Sequence, residues 1–174
     1  MPTSHAAVRH AVSWGRARRA EHVEGHVDRL RALKREATLL RVLQDSLEDT
    51  SHVVEVLDWN FELSPYFLEC RYGGPTLAAW AQTHLADLDT PARLALFLQI
   101  ADAVAAAHSV GVLHKDLKPA NVLVMGDAQN PHVRLTDFGS GQLLEPDRLA
   151  QLGITRMGMT VEDSGGIAST SGTP

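Results

Sequence analysis

Two stretches decide the fold of this 174-residue chain: His114-Lys115-Asp116-Leu117-Lys118-Pro119-Ala120-Asn121 and, after a short gap, Asp137-Phe138-Gly139. Their polar side chains suit the transfer of a phosphoryl group, which depends on positioning and charge stabilisation more than on covalent help from the protein. Asp116 can accept a hydroxyl proton, and Lys118 can neutralise charge on the phosphate. Asn121 and Asp137 offer the hard oxygen ligands that magnesium prefers. Together the two stretches indicate a candidate site for magnesium-assisted phosphoryl transfer.

The residues around both stretches supply the context that such a motif requires. Residues 122–124 and 133–136 read as two strands, and the second strand runs directly into Asp137. An isolated Asp-Phe-Gly is an ordinary turn in many proteins, but few unrelated chains meet all of these spacing conditions at once. On these residues the chain resembles the eukaryotic-type protein kinase family. The wording Lys118-Pro119-Ala120-Asn121 is similar to that of serine/threonine kinases, in a bacterial style.

This resemblance implies an enzyme that phosphorylates serine and threonine hydroxyls on a protein substrate, with ATP and Mg²⁺ as cofactors. It makes Asp116 and Lys118 the catalytic residues, and Asn121 and Asp137 the metal ligands. The residues that it places around the nucleotide are Glu36, Cys70, Tyr72, Asn121, Leu123 and Asp137.

The resemblance also implies an α+β fold of two lobes, truncated at both ends because a kinase domain needs more chain than is present. Residues 27–72 correspond to a partial small lobe and the hinge. Residues 73–136 correspond to the large-lobe helices and the catalytic loop, and residues 137–174 to the activation segment. A basic segment, residues 1–26, precedes this partial domain, and we expect it to be disordered.

A helix is predicted at residues 27–43, where Leu30, Leu33, Ala37 and Leu40 recur at alternating steps of three and four. Glu36 on this helix has two interpretations. It is either one solvated helix charge or, as the resemblance implies, the ion-pairing glutamate of the small-lobe helix.

Two strands are predicted next, at residues 53–57 and 66–70, and Gly73-Gly74-Pro75 ends the second one. The resemblance makes this region the hinge, where backbone groups of Cys70 and Tyr72 contact adenine.

A second helix is predicted to begin at Thr90-Pro91, with threonine as its cap and proline in the first helical position, and to end before Gly111. Polar residues interrupt its apolar run, so we expect a buried helix that presents the catalytic loop and not a membrane segment.

Composition excludes several classes of protein. The chain is 44% hydrophobic and 5% aromatic and carries a net charge of −5, and its basic residues form no stripe with interleaved aromatics, so we expect no nucleic-acid partner. A single cysteine, Cys70, cannot form an internal disulfide and fits a reducing compartment, so we expect a cytoplasmic location. The nine histidines lack the spacing of metal ligands.

Three departures from the family affect the expected activity. No Gly-x-Gly-x-x-Gly precedes the first helix, no Val-Ala-x-Lys-like strand supplies a phosphate-binding lysine, and Lys115 stands where the family has arginine. We therefore expect an incomplete and inactive fragment, with an apolar surface of its second helix left uncovered. The loop hydroxyls that could be phosphorylated are those of Ser164, Ser169, Thr170 and Ser171.

Two other functions stay open. A non-catalytic kinase-like module could bind or regulate partners, and a small-molecule phosphotransferase of the aminoglycoside-kinase type shares the Asp and Asn chemistry. Retention of Asp116, Lys118, Asn121 and Asp137 argues against the first, since a binding surface does not need them. The position of Lys118 and the intact Asp137-Phe138-Gly139 favour a protein kinase over the second.

Overall fold

The computed structural model describes residues 9–13 and 16–21, as backbone strands, and residues 27–145 in full. The strands are β1 Arg9–Ser13, β2 Arg16–Glu21, β3 Val56–Asn60, β4 Tyr66–Arg71, β5 Val112–Leu113, β6 Val122–Met125, β7 His132–Leu135 and β8 Gln142–Leu143. The helices are α1 Val27–Ser46, α2 Leu77–His84 and α3 Thr90–Ser109, and short 3₁₀ turns lie at Leu85–Asp87, Pro119–Asn121 and Phe138–Ser140.

An antiparallel sheet in the order β1-β2-β4-β3 forms the first half of the fold. β2 pairs with β4 along its whole length, from Arg16 opposite Arg71 to Glu21 opposite Tyr66. The prediction of disorder for residues 1–26 is therefore wrong at β1 and β2. The arginine-rich β2 has no apolar alternation to mark it as a strand, and its structure comes from the backbone ladder that β4 offers.

The strand predicted at residues 53–57 begins three residues later, at Val56. Val53 and Val54 pair with β7 instead, because Val54 N donates to Leu135 O at 3.1 Å and Leu135 N donates to His52 O at 2.8 Å. One apolar run is thus divided between two sheets. This division fastens the loop after α1 to the strand that leads into Asp137.

The predicted helix at residues 27–43 is confirmed as α1, which continues to Ser46. Its buried residues are Leu33, Glu36, Ala37, Thr38, Leu39, Leu40, Val42 and Leu43. They pack against β3 and β4 and against the 3₁₀ turn Phe138–Ser140. α1 therefore lies between the sheet and the residues that follow β7.

The second predicted helix is confirmed as α3, but its cap is Asp89 and not Thr90. A side-chain oxygen of Asp89 accepts a hydrogen bond from Ala92 N at 2.9 Å, and aspartate is among the best residues for this position. After the helix, Gly111 adopts a φ of +76° and donates its N–H to His108 O at 2.9 Å. This left-handed conformation ends the helix where the sequence predicted.

α3 covers β5 and β7 with one side only. Leu96, Ala103 and Ala107 are buried, whereas Leu94, Phe97 and Leu98 are 56%, 62% and 50% exposed. The expectation of a buried helix is thus wrong for most of α3, and the expected uncovered apolar surface is present. By length and composition alone α3 could also cross a membrane, a property that core helices of folded domains share.

Two short antiparallel pairs carry the second half of the fold. β6 and β7, which correspond to the strands predicted at residues 122–124 and 133–136, pair as an antiparallel hairpin, in register from Val122 opposite Leu135 to Met125 opposite His132. β5 pairs with β8. The loop between β5 and β6 and the turn between β7 and β8 therefore emerge next to each other, and these two connections contain both sequence motifs.

Candidate active site

The loop between β5 and β6 is fastened to the end of β7 through His114. This side chain is 4% exposed, and its Nε2 donates to Thr136 O at 2.9 Å. Its Nδ1 accepts the N–H of Asp116 at 3.4 Å, and its ring lies 4.5 Å from the ring of Phe138. The histidine therefore links the two motifs directly.

Asp116, Lys118 and Asn121 converge in this loop. Nζ of Lys118 donates to Oδ2 of Asp116 at 2.6 Å. Nδ2 of Asn121 donates to the backbone oxygen of Asp116 at 2.9 Å and to its Oδ2 at 3.2 Å. The Asp116 side chain stays 40% exposed, so its carboxylate is both held in place and accessible to a substrate.

The ion pair sets the charge state of both catalytic candidates. The hydrogen bond from Lys118 holds the pKa of Asp116 below its ordinary range, with a smaller contribution from Asn121. In return Asp116, and more weakly the charge of Asp137, raise the pKa of Lys118. At neutral pH the carboxylate is therefore ionised and able to accept a proton.

Asp137 follows β7 in a left-handed conformation, with φ 62° and ψ 59°. Its N–H donates to Oε1 of Glu36 at 3.0 Å. Glu36 is only 3% exposed, so its interpretation as a solvated helix charge is wrong. The structure brings Glu36 and Asp137 together across 101 residues of sequence.

The oxygen atoms of Asp137 and Asn121 fit a magnesium ion. Nδ2 of Asn121 donates to Asp116, which leaves Oδ1 of Asn121 as the atom suited to a metal. The backbone oxygen of Asn121 accepts a hydrogen bond from Thr136 N at 3.1 Å, next to Asp137. Within the part of the chain that the structure describes, no three His, Cys, Asp or Glu side chains form a metal cluster. That is compatible with magnesium, which proteins hold through one or two side chains together with substrate phosphates.

The segment of residues 73–75, which the resemblance makes part of the hinge, lies directly on β6. Val124 N donates to Pro75 O at 2.9 Å, and Gly74 adopts a φ of +98° so close to Val124 O that a β-carbon would overlap it. A β-carbon on Gly73 would lie 2.7 Å from Cδ1 of Leu123. Leu123 is therefore placed under the hinge.

The two predicted backbone contacts to adenine lie on the same segment. Cys70, half-buried, pairs with Val56 and Ala17 in the sheet, and Tyr72 follows at the end of β4. Their nucleotide contacts stay a prediction.

Sequence reasoning missed two parts of this region. One is β2, an arginine-rich strand beside β4 in the place where no strand was expected. The other is Arg35, whose Nη1 donates to Gly139 O at 3.2 Å. In the sequence, only its position next to Glu36 indicated that Arg35 could belong to this region. The candidate phosphorylation sites Ser164, Ser169, Thr170 and Ser171 lie outside the described residues.

Comparison with known proteins agrees with this geometry. A family model described as the protein kinase domain matches residues 17–161, beginning inside β2. The CBL-interacting protein kinase 22 of Oryza sativa subsp. japonica is 35% identical over 149 residues, which cover 84% of this chain and 29% of that protein.

Two bacterial relatives show the same similarity. The serine/threonine-protein kinase PknH of Mycobacterium bovis is 35% identical over 121 residues, covering 70% of this chain and 19% of the relative. The serine/threonine-protein kinase PkaA of Streptomyces coelicolor is 49% identical over 63 residues, covering 36% and 12%. The chain thus spans less than a third of the length of these relatives. With most of its residues matched by the family model, the chain belongs to the protein kinase domain family.

Proposed function

We propose that this chain carries the catalytic loop and the magnesium side of a serine/threonine protein kinase. The reaction is transfer of the γ-phosphoryl group of ATP to a serine or threonine hydroxyl of a protein. The observation that carries the proposal is the accessible Asp116 carboxylate, held by Lys118 and Asn121 beside Asp137. The names of the bacterial relatives and the Lys118-Pro119-Ala120-Asn121 wording support serine and threonine as acceptors.

Each residue has a separate task in this proposal. Asp116 orients the incoming hydroxyl and accepts its proton, which its lowered pKa allows at neutral pH. Lys118, which in this structure neutralises Asp116, can turn toward the transferred phosphate, because its flexible stem is only half covered. Asn121 and Asp137 would hold magnesium, which neutralises charge that develops on the phosphates. Cys70 and Tyr72 would bind adenine above Leu123.

We further propose that the 174-residue chain on its own transfers phosphate only slowly. The sequence contains no Gly-x-Gly-x-x-Gly to cover the phosphates. Leu94, Phe97 and Leu98 of α3 expose an apolar surface, which favours association or partial unfolding in isolation. A cytoplasmic location and a protein substrate complete the proposal.

The first experiment is a magnesium titration of nucleotide binding. Purified chain is titrated with a non-hydrolysable ATP analogue at increasing Mg²⁺, followed by calorimetry. We expect binding that strengthens with magnesium, and a weaker magnesium dependence in Asp137→Asn. Asp102→Asn, an exposed carboxylate on α3, is the matched control. If the affinity of the parent chain for the ATP analogue does not depend on the Mg²⁺ concentration, the proposed site is contradicted.

The second experiment tests transfer directly. Labelled ATP and a generic basic protein are placed in excess over the chain, and Asp116→Asn serves as the blank. Label on serine or threonine above that blank supports the reaction, and multiple rapid turnovers contradict the proposal of a slow chain. Magnesium-dependent binding with no label above the blank favours the non-catalytic binding module.

A further inference from the structure

A buried carbonyl in the Asp137-Phe138-Gly139 segment has its hydrogen-bond donor on α1. Gly139 is buried, and its oxygen accepts Nη1 of Arg35 at 3.2 Å. The turn itself uses the neighbouring carbonyl, since Gly141 N donates to Phe138 O at 2.8 Å. A buried carbonyl without a partner loses the hydration that it has in the unfolded chain. The Gly139 oxygen therefore depends on a group from outside the turn, which Arg35 supplies.

α1 also holds the other end of the same segment. Glu36, the next residue after Arg35, accepts the N–H of Asp137 at 3.0 Å. The two bonds have opposite polarity. The Glu36 carboxylate accepts a hydrogen bond from the amide at the start of the turn. The Arg35 guanidinium donates one to the carbonyl near the end of the turn. Asp137 has a φ of 62°, a conformation that a non-glycine residue keeps only where its surroundings hold it.

Close packing accompanies both bonds. A β-carbon on Gly139 would lie 3.4 Å from Cβ of Ala32, and one on Gly141 would lie 2.7 Å from Cδ1 of Leu39. Ala32, Arg35 or Glu36, and Leu39 follow the i, i+3/i+4, i+7 spacing of one helix face. This face of α1 therefore covers the whole turn.

We propose that Arg35 is a positioning residue for Asp137. By bonding Gly139 O it fixes the turn that presents the Asp137 carboxylate, and it acts through the backbone of the turn. The inference rests on the proposed function in one respect, since it takes Asp137 as a magnesium ligand. Outer partners that orient metal ligands typically change metal affinity by about 10- to 100-fold when they are removed.

The test measures hydrogen exchange of the Asp137 and Gly141 amides by NMR in the 174-residue chain without nucleotide. Arg35→Ala should accelerate exchange of both amides roughly 10- to 100-fold, as expected for loss of a hydrogen bond from a charged donor. Arg35→Lys keeps the charge but not the planar fork, so its exchange rates should lie between those of Arg35→Ala and those of the parent chain. Arg31→Ala is the matched control, because Arg31 lies one turn earlier, is 56% exposed and pairs with Asp28 at 3.4 Å. It should change exchange less than twofold.

Unchanged exchange of the two amides in Arg35→Ala overturns the inference. A uniform acceleration that includes the amides of α3 also overturns it, since that indicates a general loss of stability. If Arg35→Ala does not fold, the same comparison of amide exchange in the turn with amide exchange in α3 is made for Arg35→Lys, and its result decides the inference.

A second readout follows magnesium. In Arg35→Ala the magnesium-dependent part of ATP-analogue affinity should fall roughly tenfold, while binding measured with chelator should stay unchanged. Equal loss with and without magnesium overturns the positioning role. A parent chain with no magnesium-dependent binding contradicts the proposed function instead, and the exchange measurement then decides on Arg35 alone.

Discussion

The loop of residues 114–121 and the turn of residues 137–141 each contain a non-glycine residue with a φ of 62°, yet they are held in different ways. Hydrogen bonds within eight residues hold both the backbone and the carboxylate of Asp116. The turn is fixed largely from α1, about a hundred residues earlier in the sequence. The proton acceptor is thus positioned locally, whereas the magnesium side of the site depends on the packing of a distant helix.

The largest effect is expected from Asp116→Asn, which removes the proton acceptor and leaves the hydrogen bonds of the loop nearly intact. General-base help is worth about 10²- to 10⁴-fold. The single-turnover rate of transfer should fall by that factor while affinity for the ATP analogue stays unchanged. The measurement uses protein in excess over labelled ATP. Equal rates in variant and parent would show that the locally held carboxylate has no chemical role.

Phe138→Ala tests how much the turn depends on packing. Phe138 is fully buried and contacts the ring of His114, and removal of such a side chain typically costs about 3–5 kcal/mol. Thermal or urea unfolding should show this loss. Leu117→Ala, in the other loop and 48% exposed, is the control and should change the free energy of unfolding by less than about 0.5 kcal/mol. Similar losses in both variants would contradict the contrast between the two regions.

Lys118→Met should shift the acid limb of the pH–rate profile to higher pH. In the parent chain Lys118 holds the pKa of Asp116 below its ordinary range, so the carboxylate stays ionised to lower pH. Without the lysine this pKa should rise toward the ordinary value of an aspartate carboxyl group, and the rate should begin to fall at a higher pH.

The pH dependence of stability has the same direction as that of the rate: the contribution of Asp116 to the free energy of unfolding is also lost toward acid pH. A depressed folded-state pKa stabilises the protein above the unfolded value, and this contribution is lost as the pH falls through the folded value. A pH–rate profile with Lys34→Met as the control checks the prediction. Coincident acid limbs would mean that Lys118 does not control the charge of Asp116.

The smallest effect is expected from Lys115→Gly. Glycine adopts a positive φ without the steric cost of a β-carbon, and the exposed bond from Lys115 to Gln142 contributes little. The free energy of unfolding should rise by up to about 1 kcal/mol, or about 2–4 °C in melting temperature. A lower melting temperature would show that Lys115 holds its loop through contacts that glycine cannot make.

The two long helices show the limits of composition as a guide to burial. α1 carries many charges and buries eight of its twenty residues, whereas the apolar α3 buries three. Both were predictable as helices, because apolar spacing and end signals are local. The sequence also predicted that α3 would expose apolar surface, but only from the resemblance and not from the helix itself.

Local signals were enough wherever the interacting groups are close in sequence. The sequence by itself determined the catalytic loop, the strands β6 and β7 and the membership of the kinase family. For the loop, the covalent spacing of Asp116, Lys118 and Asn121 already brings them within hydrogen-bond reach. Periodicity cannot specify contacts across a hundred residues. Only the tertiary structure therefore decided that β2 is a strand against β4, that Val53 and Val54 pair with β7, and that Arg35 and Glu36 hold the two ends of the turn beyond Asp137. Each of these depends on backbone groups that become neighbours only when the sheet and α1 pack together.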